Sequence, residues 1–154
     1  MGRELGALSS RKIGVLGLAY KAGTDAIRRS IAIEIIQELI AEGAEVTVFD
    51  PKVSTLPELL SSVVTIASSV DAVFADSEAV VVATEWPEFR ELNFAVLVPT
   101  MKRALLIDQN KHFHLAGIIA VQAVFLIAGF FQDAFLAWLK GVLVPFASLT
   151  TERR

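Results

Sequence analysis

Cysteine is absent from the 154 residues, which removes disulfides, thiolate metal sites and a cysteine nucleophile from the chain's own chemistry. Histidine is almost absent: His112 and His114 stand two apart, off helical ligand spacing and without thiolates nearby, so no metal site is expected. There is no basic excess. A formal net charge of −3 and the lack of a basic stripe argue against a nucleic-acid partner. A secretory signal is missing too, since Met1 to Ser10 carries charges and no apolar core, and a cytoplasmic setting is the expectation. The glycine fingerprint G-x-G-x-x-G is also lacking, because Leu18, Ala19 and Tyr20 follow Gly17, so a dinucleotide pyrophosphate site of that type is not supported. No internal repeat interrupts the chain, and its Ser-Thr-Pro segment around Val53 to Ser62 reads as a surface connection with a short helix.

What is present begins at Lys12. An apolar run through Val15 and Leu16 ends in a turn carrying Gly17 and Lys21, and an amphipathic helix follows. This is how an α/β domain presents a site at the carboxyl end of its first strand. Gly17 permits close backbone approach and Lys21 is placed to meet a phosphate; packing for Gly17 and a solvated surface role for Lys21 are the competing reading. Residues Ile31 to Ala41 predict a helix with Ile33, Ile36, Leu39 and Ile40 on one face and Glu34, Glu38 and Glu42 towards water, stopped by Gly43. A second strand spans Glu45 to Phe49, and Asp50-Pro51 turns after it. An acidic residue there holds a ribose hydroxyl in dinucleotide folds, but without the glycine fingerprint Asp50 reads first as structural.

Val63 to Ala67 predicts a third strand, Ser69 to Ala75 a serine-capped helix, and Ala79 to Ala83 a fourth strand covered on both faces. Pro87 to Arg103 is expected to be mainly helix with a break at Pro99, and Leu105 to Asp108 a fifth strand. Strands alternating with helices give an α/β fold: a Rossmann-like, doubly wound parallel five-stranded sheet of order 3-2-1-4-5.

Several separated motifs then occur in order: Gly17-Leu18-Ala19-Tyr20-Lys21, Thr24-Asp25 with Arg28 to Ser30, Asp50-Pro51, Thr84-Glu85-Trp86 with Phe89, and Leu106-Ile107-Asp108. Together, over roughly Arg11 to Lys111, they resemble the C-terminal, UDP-binding domain of the UDP-glucose/GDP-mannose dehydrogenase family. The resemblance implies, for a complete enzyme, NAD-dependent oxidation of a nucleotide sugar's C6 alcohol to a carboxylate through a cysteine thiohemiacetal. It also implies that an N-terminal Rossmann domain binds the NAD, and that this domain holds the UDP-sugar. The absent cysteine then means that the chain cannot run that reaction alone. With the first strand so near Met1, the expectation is a separate NAD-binding catalytic chain, or that this sequence is a fragment.

By the same resemblance the substrate-binding residues are Tyr20 and Lys21, the aromatic-lysine pair beside the nucleotide sugar, with Arg28 near the cofactor and domain interface. Thr84, Glu85 and Trp86 fall at the carboxyl end of the fourth strand, where Glu85 and Trp86 read first as a helix cap with a buried tryptophan. Three departures stand out. Ala26 replaces the second acidic residue of the family pattern, Ile31 its proline, and Asp108-Gln109-Asn110-Lys111 its Asp-Gly-Arg-Asn. Lys111 in the arginine's place keeps the charge and loses the bidentate fork.

From Phe113 to Leu149 the sequence is dominated by apolar residues, with Asp133 and Lys140 as its only acidic or basic side chains apart from His114. The domains are therefore expected at 1–112, the nucleotide-sugar domain, and 113–154, an apolar helical tail. Phe113 to Phe131 is long enough to span a membrane, which takes roughly 17–25 apolar residues. A pair of buried helices broken near Gln132-Asp133, docked on the sheet or in a homo-oligomer interface, competes with membrane contact through 113–149. A shifted C-terminus without an evolved role is the third reading. The different-class alternative for the whole chain is a non-catalytic binding or assembly module tethered through this tail.

Overall fold

The computed structural model describes residues 8–108 and 124–127. Six strands form one parallel sheet: β1 (Lys12–Leu16), β2 (Glu45–Phe49), β3 (Val64–Ile66), β4 (Ala79–Val82), β5 (Leu105–Asp108) and β6 (Val124–Ile127). Their order is β3-β2-β1-β4-β5-β6. The first five strands take the expected 3-2-1-4-5 arrangement. Between them lie the helices α1 (Ile31–Ala41), α2 (Glu58–Ser61), α3 (Val70–Phe74), α4 (Pro87–Arg90) and α5 (Phe94–Leu97), with a 3₁₀ turn at Val98–Thr100.

The register places Leu16 beside Phe49 on one side and Val82 on the other, and Val82 beside Asp108. Thus β1, β2, β4 and β5 end level with one another, and the loops that follow them share one edge. Because the chain moves outward from β1 through β2 to β3 and then returns to β4 on β1's other side, the order reverses between β1 and β4. That reversal point is where open α/β sheets leave a crevice.

The central strands are apolar because both their faces are covered. Val80 and Val81 in β4, and Leu106 and Ile107 in β5, have no exposed surface. Each such side chain contributes roughly 1.5–3 kcal/mol on burial. Helix α1 starts at Ser30, whose Oγ accepts from the Ala32 N–H at 3.1 Å, and ends before Gly43, which adopts a positive φ of 87°. Its buried stripe is Ala32, Ile35, Ile36 and Leu39. The sequence-based face was therefore rotated: Ile36 and Leu39 are inside as expected, while Ile33 and Ile40 are only partly buried. Small Ala32 and Ile35 sit against the sheet instead.

Two further expectations are corrected. The single helix over Pro87–Arg103 is three short pieces: α-helix gives way to the 3₁₀ turn at Pro99, where a break was expected, and a further break falls at Glu91–Asn93. Phe89, Phe94, Leu97 and Val98 are all buried. At about 100° per residue one continuous helix would put Phe89 and Val98 on opposite sides, so the chain re-aims between them. The other correction concerns the tail: Val124–Ile127, expected within an apolar helix, is strand β6, paired in parallel with β5 from Leu105↔Val124 to Asp108↔Ile127. The remainder of the 113–154 tail lies outside the described residues. Among the described residues no helix is long and apolar enough to cross a membrane.

Candidate functional site

The loop between β1 and α1 is built on Gly17. Its φ of 94° is left-handed, and a Cβ there would lie 2.4 Å from the Thr84 Cβ, so only glycine allows the β1 and β4 ends to meet this closely. The contact is then locked by hydrogen bonds. Thr84 Oγ1 donates to the Ala19 carbonyl at 2.7 Å, and the Gly17 N–H donates to the Phe49 carbonyl at 2.8 Å. Further along, the Tyr20 N–H donates to the Ala26 carbonyl at 2.7 Å, folding residues 20–26 back on themselves.

Asp50 holds the other side of this junction. Its Oδ2 accepts from the N–H groups of Leu18 at 2.7 Å and Ala19 at 3.0 Å and from the Trp86 indole N–H at 3.0 Å. Oδ1 accepts from Lys52 and Val53 N–H at 2.8 and 2.9 Å, which closes the turn expected at Asp50-Pro51. Burial raises the pKa of this carboxyl, but the four backbone donors outweigh it and hold the group below its ordinary value. Asp50 is thus an ionised, buried structural carboxylate. With its lone pairs engaged by the protein, it does not fit the ribose-binding acid of a dinucleotide site, and the β1 turn lacks the glycines that such a site needs.

Above the junction opens a cleft of about 470 Å³, lined by Tyr20, Lys21, Ala22, Ile31, Ala83, Thr84 and Glu85. Its walls are the turn after β1 and the turn after β4, with the first residue of α1 between them. Tyr20 is 56% exposed, so its ring presents an open stacking face, and Lys21 and Glu85 are exposed as well. A second, smaller hollow of about 350 Å³ is lined by Gly23, Thr24 and Asp25 of the same loop and by Lys52 after β2.

Two of the four expected substrate residues, Tyr20 and Lys21, are therefore brought together in one cleft. Arg28 is exposed on the same loop but is not among the residues lining that cleft, and Lys111 lies outside the described residues. Trp86 is 4% exposed and occupies the N-cap position of α4, as the helix-cap reading expected, although its side chain bonds Asp50 rather than capping the helix. Glu85, given the same reading, lines the cleft. Ala22, Ile31 and Ala83 also line the cleft and were not expected there because none carries a polar group; Ile31 was marked only as standing in the family's proline position, and Ala22 and Ala83 only by their places after β1 and β4.

Known proteins resemble the chain in sequence and in fold. The UDP binding domain of the UDP-glucose/GDP-mannose dehydrogenase family matches residues 14–114. The UDP-glucose 6-dehydrogenase of Rhizobium meliloti is 40% identical over 113 residues, covering 70% of this chain and 26% of that protein. The UDP-glucose 6-dehydrogenase TuaD of Bacillus subtilis is 32% identical over 124 residues, 79% of this chain and 26% of its own length. Among solved structures, the UDP-D-ManNAc dehydrogenase of Pyrococcus horikoshii is similar with a TM-score of 0.66 and 29% identity, over 80% of this chain and 28% of that one. The UDP-glucose dehydrogenase of Pyrobaculum islandicum gives 0.60 and 27%, over 79% and 25%. The chain spans about a quarter of the length of these relatives. It belongs to the UDP-glucose/GDP-mannose dehydrogenase family, and residues 14–114 are its UDP-binding domain.

Proposed function

We propose that the cleft between the β1 and β4 turns holds the nucleotide part of a UDP-sugar, as one portion of an NAD-dependent nucleotide-sugar dehydrogenase. The observation that carries this reading is the convergence of Tyr20, Lys21, Thr84 and Glu85 on one open cleft at the reversal point of the sheet. Each group has a chemical use there. The Lys21 ammonium supplies a point charge for diphosphate oxygens, the Tyr20 ring offers a stacking face, and Glu85 can accept from sugar or ribose hydroxyls.

Two further residues belong to the proposal on family resemblance. Arg28, outside the cleft on the same loop, faces the joint with the NAD-binding part, and Lys111 adds a second cation after β5. NAD itself, when bound in the complete enzyme, accepts the hydride; the chain described here binds and orients the substrate. Catalysis then requires an NAD-binding portion and a cysteine from outside this sequence, consistent with the chain's share of its relatives' length.

The test is a calorimetric titration of the purified chain with UDP-glucose, with GDP-mannose in parallel. Saturable binding selective for UDP-glucose is expected, and Lys21→Ala should weaken it about tenfold, the scale of one lost hydrogen bond to a charged group. Unchanged affinity in Lys21→Ala would take that lysine out of the site. An absence of UDP-glucose binding by the folded chain would overturn the assignment of the cleft.

A further inference from the structure

Asp50 and Trp86 are absent from the residues lining the cleft, yet they are joined to each other by a buried hydrogen bond of 3.0 Å. The two N–H groups that Asp50 Oδ2 receives from the β1 turn belong to Leu18 and Ala19, immediately before the wall formed by Tyr20 to Ala22. The third belongs to Trp86, immediately after the wall formed by Ala83 to Glu85. Both walls are therefore tied to one oxygen atom. That oxygen cannot swing away, because Oδ1 is held at the end of β2 by Lys52 and Val53.

We propose that Asp50 and Trp86 are positioning residues of the nucleotide-sugar cleft, setting the separation of its two walls through a buried carboxylate–indole hydrogen bond. The inference rests on the reading of this cleft as the UDP-sugar site. An aromatic anchor is suited to the task. With Trp86 almost fully buried, its indole cannot follow a moving loop, and its N–H needs an acceptor that burial denies it elsewhere. Thr84 Oγ1 to the Ala19 carbonyl is a second tie between the same walls, so loss of the indole bond should loosen the cleft without unfolding it.

Trp86→Phe keeps a buried aromatic ring and removes the indole N–H; Asp50→Asn keeps the shape and turns one oxygen into a donor facing N–H groups. Hydrogen exchange of the full chain is measured first, then UDP titration of the same samples. In Trp86→Phe, exchange should rise about tenfold at the amides of residues 18–22 and 83–85, and stay unchanged in β1, β4 and β5. The UDP dissociation constant should rise by a similar factor, the scale of one hydrogen bond to a charged acceptor. Asp50→Asn should raise exchange on both walls more strongly, on top of a general rise in the strands from its loss of stability; if it fails to fold, Trp86→Phe alone decides.

Wild-type exchange on both walls in Trp86→Phe overturns the proposal whatever the ligand does. Raised exchange with unchanged UDP affinity also overturns it, since the walls would then not be positioned for the ligand. If the wild-type chain binds no UDP while the walls still loosen together, the reading of the cleft as a UDP site fails and the carboxylate–indole tie between its walls stands.

Discussion

Asp50 is 7% exposed and still ionised, because its charge meets N–H groups from Leu18, Ala19, Lys52 and Val53 that a water-exposed aspartate would not have. This has a consequence for pH. A carboxyl titrating below its ordinary value in the folded state contributes stability in full above its unfolded value, and loses it as pH falls through the lowered folded one. Asp50→Asn should therefore destabilise the fold at neutral pH by about 1–3 kcal/mol. The gap to wild type should begin to narrow below about pH 4, where the unfolded wild-type chain takes up a proton that the folded carboxylate resists, and should go on closing as pH falls through the lowered folded value, while the variant does not titrate. Denaturant unfolding of both proteins across the acid range checks this, and a gap independent of pH would mean that the charge of Asp50 does not matter to the fold. At this scale the sequence was partly legible. Asp50-Pro51 reads as a turn from its residue types, but partners 32 and 36 positions away, Leu18 and Trp86, leave no local mark.

Elements were easiest to read where one period ruled without competition. The strands β1, β2, β4 and β5 are short apolar runs bounded by turns, and α1 has a serine cap and a glycine stop, so each appears close to its expected limits. The helix over residues 87–103 failed because its composition favours helix while the spacing of Phe89, Phe94 and Val98 does not. Strand β6 was hidden for another reason. Val-Phe-Leu-Ile at 124–127 stands in a long apolar stretch without punctuation, and an apolar run of four cannot be told from helix by periodicity alone. Its pairing covers the outer edge of β5, whose four residues are all buried. A chain ending at residue 112 should expose that edge as a template for pairing with another copy. Light scattering after gel filtration should then show more association than in the full chain, and a lower unfolding midpoint. Equal association and equal midpoints would show that β5 does not depend on its neighbour.

At the scale of the whole molecule, the sheet brings a ligand-sized cleft to its reversal point, and the same edge lacks the glycine turn and the free acid of a dinucleotide site. The β1 turn places Ala19 where the second fingerprint glycine would admit a pyrophosphate, and the acid at the end of β2 is already saturated by Leu18, Ala19, Trp86, Lys52 and Val53. In the proposed reading a nucleotide diphosphate sugar needs neither feature, since Lys21 would meet its charge and the open cleft its bulk. That asymmetry predicts how the chain discriminates between the two nucleotides of the dehydrogenase reaction. UDP-glucose should bind saturably, NAD should not bind over the same concentration range, and a mixture of both should form no NADH, because the chain carries no cysteine for the covalent step. Calorimetry with each nucleotide and absorbance of the mixture test these three outcomes separately. Saturable NAD binding would show that a dinucleotide can be held without the glycine turn and without a free acid at β2, which would contradict the geometry of both. NADH formation would require a nucleophile or hydride path within these 154 residues that does not use a thiol.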